Sequence, residues 1–177
     1  MRLSESEQLL LKARSPLKNY IIPGLTSWLI SEPSANGCDR LFEMNREQLS
    51  GITPHSHRFD FMAKVVRGWV TNQIWIKSTK MEDDMYHRSE LTYDGTPGKY
   101  HKSGSWTGKW IHIDNTYTPG QWYSMTYNQI HSIIFGKDSL VLFKEGNTIT
   151  TKTSILEPFI DGHIIPTLKT ENWMFRK

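Results

Sequence analysis

The chain has 177 residues, 37% hydrophobic and 12% aromatic, enough apolar mass for one domain with its own core and too much for a disordered chain. No apolar run approaches the roughly 20 residues that a membrane-spanning helix needs, and no fixed repeat period is present. The 21 Lys and Arg against 18 Asp and Glu leave a formal charge of +3, scattered rather than gathered into the basic footprint of a nucleic-acid binder.

The beginning reads as helix. Ser4 and Glu7 have capping-box spacing, Leu9, Leu10, Leu11 and Ala13 follow, and Pro16 ends the pattern. A second short helix or irregular segment is expected over Leu25 to Ile30, between Pro23 and Pro33. From Cys38 onward the signals turn to β. Asp39 to Gln48 predicts a strand, and Arg58 to Val66 with Trp69 to Ile76 predicts a hairpin about Arg67-Gly68. Residues 77 to 84 are charged and read as a solvated turn. Met85 to Tyr93 and Lys109 to Ile113 read as paired strands, with Asp94 to Gly108 as a mobile loop rich in Gly, Lys, Ser and Thr. Trp122 to Tyr127, Ile130 to Phe135, Ser139 to Lys144 and Asn147 to Thr153 complete the strands, with Gly136 and Gly146 as turns.

Short strands without intervening helices predict a mainly β barrel or sandwich rather than a βαβ fold. The expected organisation is an N-terminal helical or irregular extension over 1–37, a β-barrel over 38–157, and a segment over 158–177 packing on the barrel. There Trp173 and Phe175 would cover a barrel end. Cys38 is the single cysteine, which excludes an intrachain disulfide and a cysteine-based zinc site. The polar, partly acidic N-terminus is unlike a secretory signal, so a cytoplasmic location is expected.

Chemistry concentrates in Pro54-His55-Ser56-His57-Arg58-Phe59-Asp60-Phe61. Residues two apart on a strand share a face, so His55 and His57 present two imidazoles side by side. Such a pair suits a divalent transition metal; it equally describes two strand-edge histidines. His131 stands on a later strand among Ile130, Ile133 and Ile134, after the Pro119-Gly120 turn. Alone it reads as a core histidine bonded to a carbonyl. With the pair it gives the layout of a three-His site with open positions for water or substrate.

Gly51-x3-Pro54-His55-x-His57, then Gly68, Pro119-Gly120 and His131, resemble the two motifs of the cupin superfamily over residues 51 to 145. The nearest likeness is to small phage and bacterial cupin-like proteins with a His-x-His-x-x-Asp-Phe run. The resemblance implies a jelly-roll barrel (double-stranded β-helix) with His55, His57 and His131 on the ligand positions of one Fe(II), Mn(II), Ni(II) or Zn(II). The usual first motif has Glu four residues after the second His, where this chain has Phe61. Asp60 faces away from His57 in a regular strand. It becomes a ligand only through a bulge; otherwise it is a hydrogen-bonding support, and the site is purely three-His.

Arg58, Lys64, Tyr117, Tyr123 and Tyr127 are candidates for the barrel mouth, with Arg58 and Tyr123 the candidate catalytic pair. His112 is a candidate for the interior, and Trp69, Trp75 and Trp122 for an aromatic wall. The expected function is metal-dependent chemistry on a small molecule inside the barrel, with an Fe(II) dioxygenase-like centre favoured. The alternatives are a non-catalytic barrel that captures a nucleotide or sugar derivative, and a phage structural or accessory protein. The resemblance further implies a homodimer.

Overall fold

A computed structural model of the chain describes residues 3–34, 36–95 and 100–165. After one helix, α1 (Glu5–Lys12), the chain is strand: β1 (Arg14–Lys18), β2 (Leu25–Leu29), β3 (Asp39–Met44), β4 (Phe59–Arg67), β5 (Val70–Lys77) and β6 (Met85–Tyr93). Next come β7 (Tyr100–Tyr117), β8 (Trp122–Met125), β9 (Ile130–Phe135), β10 (Leu140–Thr148), β11 (Lys152–Ile160) and β12 (His163–Ile164). The first sheet has the order β1-β2-β3-β10-β4-β8 and the second β12-β11-β6-β7-β5-β9. Each sheet is antiparallel throughout.

Strand alternation builds the core between the sheets. Phe61, Ala63 and Val65 of β4 and Val141 and Phe143 of β10 point inward, meeting Val70 of β5 and Ile133 and Phe135 of β9. The opposite face of the first sheet carries Leu41, Leu140 and Leu142 under Leu9, Leu10 and Ala13 around α1. The expected capping box holds α1 at its start: Ser4 Oγ accepts from Glu7 N–H, and Glu7 Oε2 accepts from Ser4 N–H at 2.7 Å.

A short segment closes the second sheet. His55 exchanges both backbone hydrogen bonds with His131 of β9, at 2.8 and 2.9 Å. On its other side Ser56 N–H reaches Ser154 of β11, and Leu156 N–H of β11 reaches Pro54. The hydrogen-bonded circuit therefore runs β9-β5-β7-β6-β11, through residues 54–56, and back to β9. With β3-β10-β4-β8 facing residues 54–56, β9, β5 and β7, this is the jelly-roll order.

Several local expectations are corrected. Leu25–Leu29 is strand β2, because β3 pairs with it from Leu25↔Met44 to Leu29↔Arg40; together with β1 it extends the first sheet. The Asp39 strand ends at Met44, and the Gln48 side-chain amide instead caps the edge of β9 at Ile133 and Phe135. β4 and β5 do not form a hairpin: β4 pairs with β10 and β8, β5 with β7 and β9. Gly68, at φ +73°, carries the chain from one sheet to the other.

Residues 100 to 108 are strand, not mobile loop, because β6 supplies a partner from Met85↔Lys109 to Tyr93↔Tyr100. Their polar composition reflects exposure on both faces. Gly146 lies inside β10, and residues 149–151 separate β10 from β11 where a strand over Asn147 to Thr153 was expected. Trp173 and Phe175 lie outside the described residues.

Candidate metal centre

Three imidazoles converge between the sheets. His55 and His131 are directly opposed in an antiparallel pair, so their side chains leave on the same face; the ring centroids are 5.0 Å apart. His57, two residues on, returns to that face with its ring 4.8 Å from His55 and 5.1 Å from His131. One ligating nitrogen from each of the three lies within 4.8 Å of the others.

Supporting bonds fix which nitrogens face the cluster. His55 Nδ1–H donates to the Thr53 carbonyl at 2.8 Å, and His131 Nδ1–H donates to Asn72 Oδ1 at 2.7 Å. In both rings the proton therefore sits on Nδ1 and Nε2 carries the lone pair, the tautomer of metal-bound histidines held by an outer acceptor. His57 Nε2 stands 2.9 Å from His131 Nε2, a spacing that two ligands about 2.1 Å from one ion reproduce. The donor set and its supports fit a divalent transition metal.

Burial keeps the three rings neutral. It pulls His55 down to about 4, against the raising effect of the Thr53 bond. His57 and His131 are held well below their ordinary value, first by burial and then by the neighbouring imidazoles. Neutral imidazole is the ligating form.

The structure does not bring Asp60 to the histidines. It is exposed, and its Oδ1 accepts from Tyr127 N–H at 2.7 Å. The Tyr127 carbonyl in turn accepts from His57 N–H at 3.2 Å. Asp60 thus clamps the turn that anchors the His57 backbone. The position of the usual motif carboxylate holds the buried Phe61 ring, 4.8 Å from His57 and 5.4 Å from His131.

A cavity of about 180 Å³ lies over the cluster. Its inner wall is aromatic: Phe61 tilts against Phe143 at 4.6 Å and meets Tyr123 edge-on at 6.2 Å. Tyr123 is buried and stacked on Tyr117 at 4.7 Å; burial raises its phenol further above neutral pH. Arg58 lines the same cavity with its guanidinium 4.3 Å over the Tyr93 ring. Arg40, Arg58, Tyr93 and Glu145 also line an outer recess, so the cavity opens on their side.

Other candidates fall elsewhere. Lys64 points to the outer face, where it pairs with Glu5 of α1 at 2.7 Å. His112 is bonded to Asp114 at 2.7 Å and packed on Trp75 on the far side of the second sheet. None of Trp69, Trp75 and Trp122 lines the cavity; its wall is phenylalanine and tyrosine. Asn72 was missed, though an amide inside the apolar β5 run signals a buried polar partner. The Thr53 carbonyl left no signal, being backbone.

No family model and no curated protein sequence matches the chain. Among solved structures it is similar to KdgF from Halomonas sp., with 13% identity over 76% of this chain and 89% of that one, at a TM-score of 0.43. It is also similar to hydroxypropylphosphonic acid epoxidase from S. wedmorenis, with 10% identity over 75% of this chain and 55% of that one, TM-score 0.47. A third is the polyketide cyclase RemF from Streptomyces resistomycificus, with 10% identity, 98% and 90% coverage and a TM-score of 0.39. The two facing antiparallel sheets of this chain form the jelly roll expected from its sequence.

Proposed function

We propose that the chain is a metal-dependent enzyme with His55, His57 and His131 holding one divalent ion, as in a mononuclear non-haem Fe(II) dioxygenase-like site, and a small-molecule substrate in the cavity above. The observation that carries this reading is the convergence of three neutral imidazoles, two buried and one half-buried, the two buried ones with Nδ1 committed to outer acceptors. Fe(II) at such a site supplies redox chemistry with O2, whereas Zn(II), Mn(II) or Ni(II) supplies Lewis-acid polarisation.

The protein's own groups do the rest. Thr53 and Asn72 orient the imidazoles. Phe61 and Phe143 exclude water from the reacting end of the substrate. Tyr123, held as the neutral phenol, is a hydrogen-bond donor in the cavity wall, and Arg58 meets an anionic substrate group at the mouth.

Elemental mass spectrometry after anaerobic loading with Fe(II), Mn(II), Ni(II) or Zn(II) tests this. About one ion per chain is expected, lost in His55→Ala/His131→Ala while the circular dichroism spectrum persists; O2 consumption then separates Fe(II) chemistry from hydrolysis or isomerisation. Absence of binding for every metal sinks the proposal. One contact favours a second reading, a non-catalytic barrel that captures a ligand. The 2.9 Å contact between His57 Nε2 and His131 Nε2 is a satisfied hydrogen bond in the metal-free protein. That reading predicts ligand binding without metal and without turnover.

A further inference from the structure

We infer that the cavity selects a single-ring aromatic acid, its ring among Phe61, Phe143 and Tyr123 and its carboxylate on Arg58 at the mouth. The inference deepens the proposed function, resting on it only for the end of the ligand that faces the histidines.

Size comes first. A closed apolar cavity of about 150 Å³ holds one benzene, so about 180 Å³ here takes one ring with a small substituent. Wall chemistry narrows the class further. The rings of Phe61, Phe143 and Tyr123 offer offset and edge-on faces to a planar guest. The two aliphatic hydroxyls of the wall are already engaged within the protein: Ser56 Oγ accepts from Ser154 N–H at 2.9 Å, and Thr153 Oγ1 donates to the Ser56 carbonyl, which leaves phenols such as Tyr123 as the side-chain hydroxyls facing a guest. A polyhydroxylated guest would leave most of its hydroxyls unpaired against aromatic carbon, which disfavours it.

Charge selects the other end. In the wall of the inner cavity Arg40 and Arg58 face one acid, Glu145, with Asp94 farther out in the outer recess, and Glu145 accepts a bond from Cys38 Sγ at 3.4 Å. The Arg58 backbone is fixed by bonds from Ile149 and Thr150, and its guanidinium plane lies over Tyr93. A planar fork held by stacking is suited to two parallel hydrogen bonds from one carboxylate. Arg40 bonds Ser27 Oγ at 3.4 Å, deeper in the first sheet, which leaves Arg58 as the principal anchor.

Ligand-observed NMR titration of the full chain, metal-free and Zn(II)-loaded, with benzoate, benzyl alcohol and succinate tests the assignment. Benzoate is expected to bind both forms more tightly than either comparator. Arg58→Gln is expected to weaken benzoate at least tenfold and leave benzyl alcohol unchanged, with an unaltered melting temperature reporting an intact fold. Succinate binding as tightly as benzoate would overturn the ring requirement. Benzoate binding that is insensitive to Arg58→Gln, or confined to the Zn(II) form, would overturn the placement of the carboxylate. Benzoate binding by the metal-free protein does not depend on the metal site, so failure there is distinct from failure of the metal proposal, which metal content alone decides.

Discussion

Asn72 is where a single side chain governs the centre most directly. Its Oδ1 holds the proton of His131 on Nδ1, and its Nδ2 is in turn placed against Met125 Sδ at 3.3 Å. Asn72→Leu keeps the volume and removes the acceptor, so metal affinity is expected to fall about 10–100-fold, measured by chelator competition. Phe61→Glu tests the opposite change. It restores the motif carboxylate but buries it between aromatic rings, and the metal-free variant is expected to lose about 3 kcal/mol or more. Zn(II) should recover much of that loss; urea denaturation with and without the metal measures both. Histidine burial also predicts a pH dependence. With the His55 pKa near 4 in the folded chain and 6.5 as its ordinary value, the unfolded state binds more protons in that window. Metal-free stability is therefore full above about pH 6.5 and falls toward pH 4. A melting-temperature profile checks this, and His55→Gln should flatten the slope. The His-x-His spacing and the distant third His were legible in sequence because strand alternation alone aligns two of them. Asp60 was not legible, since its face depends on the turn it clamps through Tyr127.

Among the elements, the β4-to-β5 connection carries the most constraint. Gly68 is at φ +73°, and a Cβ there would stand 2.7 Å from Ser139 Cα, a backbone atom without side-chain freedom. Gly68→Ala is expected to cost about 2 kcal/mol or more, read as a lower denaturation midpoint. The apolar alternation that marked β4 and β5 as strands was visible in sequence. Their partners were not, because a short turn between two strands suits a hairpin as well as a crossover between sheets, and only the long-range pairing of β4 with β10 decides. The same holds for residues 100 to 108, whose loop-like composition is overruled by β6. In the N-terminal helix the agreement is close because capping box and leucines act locally.

At the scale of the molecule, no helix among the described residues is long and apolar enough to cross a membrane, and the chain encloses its chemistry between two sheets. Stability and metal content are expected to be linked. An ion bound by the folded state alone adds about 2.7 kcal/mol of stability at one hundred times its dissociation constant, and the melting temperature rises with its free concentration. Calorimetry before and after chelation measures the shift.

The site is also the seam of the second sheet. His55 and His131 are each other's backbone donors, so the amide protons most sensitive to its opening belong to two of the proposed ligands. Hydrogen–deuterium exchange at these two amides becomes a gauge of how often the seam parts. An ion gripping both side chains would slow exchange there more than in β2 or β3, which would let the occupancy of the centre be followed from the backbone alone.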